Sequence, residues 1–370
     1  MPQAKDGLSP NEGASDAMGT VTIRQVATAA GVSATTVSNF LMGRSERMHS
    51  DTRDRISTAI SDLGYRPNRA ARALRTGRAH SIGLVVPSVA NPFWGTFANE
   101  LERASIEAGY SVLLGNTERD PARELRYVED LWDAGVRSIV LGTSLPSLAH
   151  LQPFLDQGLR LVTLDRPVQP NDPPSVVSVS VDNQVGGHLA TAHVLGLGHE
   201  RVSFVAGALK SLNRTARYGG FRAALEAVGI DPAEQAEWPG ASLTPPAGAS
   251  EAADIGRIAV TDLLNGPNPP TAIVAINDIT ALGVCSGIRA LGMTVGRDVS
   301  VVGFDDIVLA TLCDPPLTTI RQPLPDLARL ALREALGEGE EGAVKGGSVL
   351  LRPELIVRSS TGAADLASVR

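Results

Sequence analysis

A chain of 370 residues, 43% hydrophobic and 20% charged, is too long for one ordinary domain and apolar enough to bury two or three cores, which excludes a disordered or fibrous protein. Its formal net charge of -7 would speak against a nucleic-acid partner only if it were evenly spread. Residues 19–78 hold ten Arg, no Lys and four acids, a net of +6, while residues 1–18 hold one Lys and three acids, leaving -11 beyond Arg78. A small basic head on a large acidic body is the footprint of a protein that holds DNA at one end.

Residues 1–19 are polar, carry acids and prolines and lack an apolar core, so a disordered tail is expected, with Met18 a candidate start. No run of 18 apolar residues follows, and the expectation is a soluble, cytoplasmic protein on the nucleoid side of the membrane. A helix-turn-helix domain is expected over residues 20–66. Thr22 suits an N-cap, Ile23, Val26, Ala27 and Ala30 recur at helical spacing, and Gly31 ends the segment. Ser33 caps a second helix in which Val37, Phe40 and Leu41 point inward and Ala34, Thr35, Thr36, Ser38 and Asn39 outward. Small polar outward side chains suit a major groove about 12 Å wide. Ser50 is expected to cap a third helix through Ile56, Ala59, Ile60 and Leu63, closed by Gly64. Taken alone, this pattern also fits any small helical bundle.

Residues 67–79 read as a short helical segment and linker. Pro67 can open a helix, but two turns from Asn68 to Leu74 are too short to fold alone, because nucleation is costly. Ala70, Ala71 and Ala73 would let two copies pack closely. Leu74, beside Arg72 and Arg75 with no core of its own, suits a wedge that kinks the duplex from the minor groove; a solvated linker is the plainer reading.

The segments Thr22-Ile23-Arg24-Gln25-Val26-Ala27, Ala30-Gly31-Val32-Ser33, Leu63-Gly64-Tyr65-Arg66-Pro67-Asn68 and Leu74-Arg75-Thr76-Gly77-Arg78 resemble the lactose-repressor (LacI/GalR) family of bacterial transcription regulators. The match runs in order to Glu354-Leu355-Ile356-Val357-Arg358. The resemblance implies that the second helix reads operator bases, mainly from Ala34, Thr35 and Asn39, with Thr22, Ser33, Thr36, Ser38, Asn68, Arg69, Arg72 and Leu74 completing the DNA contacts. Asn39 stands where relatives often carry Arg; Asn pairs with adenine and Arg with guanine, though a phosphate or solvent contact is equally open to Asn39.

From His80 onward apolar runs alternate with helical patterns: Ile82 to Val86, Ser111 to Leu114, Ile139 to Leu141, Leu161 to Leu164, Val202 to Val205, Ala272 to Ile276 and Ser300 to Val302. Such runs split by helices indicate parallel sheets covered on both faces, and their extent indicates two similar α/β subdomains. The expected fold is therefore an α/β body of two parallel-sheet subdomains with an all-α N-terminal domain, and the resemblance implies that this body is like that of periplasmic binding proteins. The body spans residues 80–361, one subdomain about 80–178 plus 310–340 and the other about 179–309 plus 341–361, followed by a disordered tail over 362–370.

Ligands in such folds sit beyond the carboxyl ends of the strands, where this chain places Asn91-Pro92-Phe93-Trp94, Asp165-Arg166, Asp182-Asn183, Asn277-Asp278 and Asp305-Asp306. Amides, carboxylates and aromatic faces suit a polyhydroxylated ligand such as a sugar. Singly, Asp182 and Asp278 read as helix N-caps and Asp306 as serving the hinge between subdomains. The resemblance implies that Phe93, Trp94, Asp165, Asn277 and Asp305 line an effector pocket. It also implies a ligand-binding arginine just before the Arg-x-x-Gly-Phe motif that begins at Arg217; Arg214 is the nearest candidate, with Thr215 at the family's usual position. Trp238 is the candidate for a further pocket aromatic, ahead of a Pro/Gly/Ser-rich loop from Pro239 to Ser250.

Enzyme readings fare poorly. Gly196-Leu197-Gly198 sits between a helix and the following strand, the reverse of a dinucleotide fingerprint, and no nucleophile elbow or phosphate loop occurs. His188, His193 and His199 do not share a helical face, and Cys285 and Cys313 have no metal-site spacing, so no metal, no cofactor and no catalytic residue is expected, and the cysteines read as buried small hydrophobes. The partners expected are pseudopalindromic double-stranded operator DNA, a small-molecule effector, and a second copy of the chain, since one helix-turn-helix covers only a half-site. The tail lacks leucine heptads for a tetramer. The function expected is repression of carbohydrate-utilisation genes under control of a sugar; the alternatives are a non-sugar corepressor such as a nucleobase, or a sugar-binding or sugar-modifying protein.

Overall fold

The computed structural model describes residues 21–41, 44, 48–65, 80–143, 145–207, 209, 211–235, 237–238, 250–338 and 347–364. The chain divides into two compact units, 1–76 and 77–370. Expectations for the two tails, the hinge segment 67–79 and the loop after Trp238 lie outside the described residues, except that 362–364, expected to be disordered, are ordered. There Gly362 accepts from His199 Nε2 at 3.0 Å and Ala364 N donates to Leu197 O at 2.9 Å.

The first unit packs helices α1 (Ile23–Ala30), α2 (Ala34–Leu41) and α3 (Ser50–Asp62) around Val26, Ala27, Ala30, Val37, Ile56 and Ala59. Thr22 and Gln25 form a capping box: the Gln25 side chain accepts from Thr22 N at 2.7 Å, and Thr22 Oγ1 accepts from Gln25 N at 3.4 Å. Two of the amides orphaned at a helix start are thereby satisfied. Gly31, left-handed at φ 63, closes α1. Ser33 then caps α2, its Oγ accepting from Thr36 N at 3.1 Å. At α3 the expected cap shifts by one residue: His49 holds the N-cap position without a side-chain bond, and Ser50 is already helical.

The second unit holds two six-stranded sheets. The first is parallel throughout, in the order β11-β5-β4-β3-β1-β2, from β1 (Ser81–Val86), β2 (Ser111–Asn116), β3 (Ser138–Gly142), β4 (Arg160–Leu164), β5 (Val177–Val181) and β11 (Ser348–Leu351). The second runs β12-β10-β9-β8-β6-β7, from β6 (Val202–Val205), β7 (Glu237–Trp238), β8 (Ala272–Ala275), β9 (Ser300–Asp305), β10 (Thr318–Arg321) and β12 (Glu354–Ile356), of which only β12 is antiparallel. Most of these strands are buried along their length, which is why they read as unbroken apolar runs.

The chain passes between the sheets three times: after β5, between β10 and α12 (Leu324–Leu336), and between β11 and β12. The expected subdomain boundaries need correction at each passage. β5 stays in the first sheet through Val181, β10 belongs to the second sheet although residues 310–340 were expected in the first subdomain, and β11 returns to the first although 341–361 were expected in the second. Pairing partners decided these memberships, and pairing is not written in a strand's own pattern.

Helices α4 (Pro92–Glu107), α7 (Asn183–Gly196), α8 (Leu212–Ala227) and α10 (Asp278–Ala290) start at strand ends. α7 and α8 meet through Gly187 and Gly220; a Cβ on Gly187 would collide with the Arg217 carbonyl and one on Gly220 with the Gln184 carbonyl. That approach brings Asn183 and Arg217 together. Among the described residues no helix is long and apolar enough to cross a membrane.

Candidate functional site

At the carboxyl ends of the strands lies an open cleft whose space, with the solvent at its mouth included, is about 580 Å3. Two strand ends place carboxylates there. Asp165 after β4 adopts φ 55 and Asp305 at the end of β9 adopts φ 123. Non-glycine residues in this region are strained by about 1–3 kcal/mol each and persist where their surroundings over-determine them. Three helix starts supply the facing wall. Asn91 caps α4 by accepting from Phe93 N at 3.1 Å, Ser211 holds the N-cap position of α8, and Asn277 caps α10 by accepting from Thr280 N at 2.9 Å. All three line the cleft.

Arg217, 5% exposed, forms the floor. Its Nε donates to Asn183 Oδ1 and its Nη1 to the Ile276 carbonyl, both at 2.8 Å, and its guanidinium lies 3.6 Å above the Phe304 ring. Asp165 and Asp305 flank it at 3.9 and 3.8 Å. Asp165 further accepts from Asn183 at 3.0 Å and from Asn213, and Asp305 accepts from Gln322 at 2.7 Å. Burial raises both acids above the usual carboxylate range against the pull of Arg217, Asp305 to about 8. Desolvation outweighs the single cation because one guanidinium serves two carboxylates, and the neighbouring Asp278 adds repulsion at Asp305.

Of the expected pocket residues, Phe93, Trp94, Asp165, Arg214, Asn277 and Asp305 all line the cleft. Phe93 and Trp94 are buried and meet edge to face at 5.1 Å, with Trp94 lying against the Cβ-free face of Gly142. Trp238 lies in β7 opposite Val205, its side chain outside the described residues. Asp182 is an N-cap, its carboxylate accepting from Val185 N at 2.9 Å. Asp278 is not: Asn277 holds that position, and Asp278 is wholly buried, accepting from Thr319 Oγ1 at 2.5 Å and Ile307 N at 2.9 Å and raised to about 6 by burial. Asp306 pairs with Arg321 at 2.7 Å and Arg358 at 2.6 Å beside two of the passages between sheets. Cys285 is buried and its thiol pushed up to about 12, whereas Cys313 is only partly buried.

Sequence reasoning named Asn183 at a strand end and Arg217 within a motif without giving Arg217 a place in the cleft, and passed over Asn213 and Arg119. The signal for Arg217 was present: three residues before Gly220 and four before Phe221, it shares the inward face of α8.

On α2, Thr35 is exposed and Thr36 and Asn39 are half-buried. Two residues expected to face outward do not. Ser38 is 7% exposed, and Ala34 packs against the core, because an eight-residue helix held between two others buries more than one stripe. Thr22 and Ser33 spend their hydroxyls on capping. Asn68, Arg69, Arg72 and Leu74 lie outside the described residues.

Residues 22–68 match the profile of bacterial regulatory proteins of the lacI family, and residues 191–361 that of a periplasmic binding protein-like domain. The HTH-type transcriptional regulator DegA of Bacillus subtilis is 33% identical over 346 residues, covering 92% of this chain and 98% of DegA. The chain belongs to the lacI family. Two solved structures of regulators resemble it: the lac repressor dimer bound to operator and the anti-inducer ONPF (TM-score 0.79, 27% identity, 93% of this chain and 100% of that one), and the transcriptional regulator CelR in complex with cellobiose (TM-score 0.62, 28% identity, 92% and 99%). In this member of the lacI family, the cleft is thus framed by the periplasmic binding protein-like part of the chain and by the N-terminal half of the body.

Proposed function

We propose that the protein is a sequence-specific DNA-binding repressor of carbohydrate-utilisation genes whose operator affinity is switched by a small polyhydroxylated effector held in the cleft. The observation that carries this reading is the Asp165–Arg217–Asp305 arrangement facing an open cavity in a chain that also carries a helix-turn-helix head. Paired acceptors and a fixed fork of donors suit vicinal hydroxyls, and the buried Phe93 and Trp94 suit an apolar sugar face. The cleft lies between two sheets joined by three passages, so a ligand touching both favours one relation of the sheets over another. Moving such an equilibrium from 1:99 to 99:1 requires about 5.5 kcal/mol of differential binding.

The protein acts on DNA as a homodimer, each head taking one half-site of a pseudopalindrome. Asn68 to Leu74 is the hinge that folds on DNA, with Arg69 and Arg72 on the backbone and Leu74 in the minor groove. The body is the effector-binding and dimerisation part. The protein carries no catalytic role and works in the cytoplasm, on the nucleoid.

Operator fragments recovered by sequencing genomic DNA bound to the protein, then titrated by fluorescence anisotropy with and without a panel of sugars, test the reading. At least one compound is expected to change operator affinity by about 5–150-fold. A protein that binds its fragments with no change across the panel would overturn the effector half.

A further inference from the structure

The cleft acids are tied to the segments that cross between the sheets. After β5 the chain crosses at Asp182 and Asn183, and after β10 at Gln322 and Pro323, just ahead of α12. Asn183 and Gln322 are 5% and 4% exposed, and neither lines the cleft. Each nevertheless reaches one of the acids that do. Asn183 Nδ2 donates to Asp165 Oδ1 at 3.0 Å, and Gln322 Nε2 donates to Asp305 Oδ1 at 2.7 Å. Asn183 Oδ1 also accepts from Arg217 Nε at 2.8 Å, so one crossing side chain touches both an acid and the guanidinium of the floor. The third crossing is joined to the first through the backbone, where Asp182 N donates to Leu351 O, at the end of β11, at 2.9 Å. Gln322 is anchored on its far side as well: its carbonyl accepts from Leu324 N, at the start of α12, at 2.8 Å. A buried amide is costly to leave unpaired, so each acid and its crossing segment are not placed independently. The two acids belong to different sheets, Asp165 following β4 and Asp305 ending β9.

We propose that Asn183 and Gln322 are positioning residues that convert occupancy of the cleft into a changed relation between the two sheets, acting on the crossings through Asp165 and Asp305 without touching the effector themselves. The proposal rests on the effector reading above and assigns its transmission. A hydroxyl that draws either carboxylate into the cleft must stretch the amide bond behind it or carry the crossing segment along. Hydrogen bonds weaken steeply away from their preferred geometry, whereas a few residues at the ends of elements are where hinge motions absorb backbone change. Affinity and coupling are thereby divided between two layers: side chains lining the cleft set how tightly a compound binds, and the two amides behind them set how far that binding is felt at the operator.

The test uses the full-length protein with glucose, galactose, ribose and cellobiose as probes. Calorimetry gives the affinity of each sugar without DNA, and fluorescence anisotropy gives the affinity for recovered operator fragments with and without saturating sugar; the ratio of the two operator affinities is the coupling factor. Gln322→Met keeps the length of the side chain and removes its donor, and Asn183→Ala removes the other amide. Each is expected to lower the coupling factor by about threefold or more while changing sugar affinity by less than about twofold. A coupling factor unchanged in both variants, or a loss of sugar affinity as large as the loss of coupling, would overturn the proposal. If both variants lose cooperative melting, the wild type decides. Hydrogen exchange in peptides covering 181–184 and 321–324 is expected to change by about threefold or more when a sugar that shifts operator affinity is saturating, and unchanged exchange at both crossings would equally overturn it. A wild type whose operator affinity responds to none of the sugars removes the effector reading itself; a responsive wild type with unaltered variants removes only the role given to the two amides.

Discussion

Arg217 holds together what would otherwise be an unstable collection of buried acids, and Asp305 carries the consequence in its titration. In the unfolded chain Asp305 ionises near the ordinary carboxylate value of about 3.9, whereas in the fold it does so at about 8, chiefly through burial. Between those values the folded state keeps a proton that the unfolded state has lost, so this residue makes the protein less stable as pH rises from 4 towards 8. Asp305→Asn removes that contribution. Urea denaturation of variant and wild type at pH 5 and pH 8 should show the difference moving in the variant's favour by at least about 1.4 kcal/mol, the equivalent of one pKa unit; parallel pH curves would refute the assignment. Both flanking acids were legible in the sequence because each ends an apolar run, where a strand delivers its last side chain to a ligand. Arg217 was not, because a buried arginine announces itself only through partners from other elements, here Asn183 and the Ile276 carbonyl.

At the scale of elements, α7 and α8 fix Arg217 through backbone contact that only glycine permits. Gly187→Ala would push a methyl group into the Arg217 carbonyl, and overpacking of this kind costs about 1–3 kcal/mol. Chemical denaturation should register that loss, together with weakened effector binding, since the displaced carbonyl belongs to the residue at the cleft floor. In the head, α2 follows the sequence reading in its ends and departs from it in its faces. Thr35 alone of the five side chains expected outward is fully exposed, with Thr36 and Asn39 partly so. Thr35→Ala should therefore change which base is preferred at one operator position, while Arg69→Ala, assigned to a phosphate, should weaken all sequences alike and lower the salt slope by about one. Equal losses for Thr35→Ala on operator and random DNA, measured by anisotropy, would remove its base-reading role. Periodicity found the helices and their caps, but it could not show that Ser38 is covered, because packing against other elements decides that.

Among the apolar side chains that the body exposes, two groups stand in different halves: Ile106, Leu113 and Leu114 on α4 and the edge strand β2, and Val308, Leu309 and Leu312 on the short helix α11 (Val308–Leu312) after β9. One group lies in each sheet's half of the body, so a second copy packed against both would sense any change in how the two halves are related. An edge strand left uncovered is also a template for unwanted pairing, which a dimer partner removes. The strand memberships that sequence reasoning misassigned matter here, because three passages between the sheets rather than one constrain the halves to move as linked bodies. Leu114→Glu and Leu312→Glu place a charge at positions 52% and 72% exposed in the single chain, so each should leave the monomer's melting cooperative while opposing association. Sedimentation velocity should show a dimer for the wild type, without a tetramer, and a shift towards monomer for the variants. Operator affinity should fall at least tenfold with it, because each released head then holds a single half-site. A variant that stays dimeric and binds operator unchanged would place the interface elsewhere on the body.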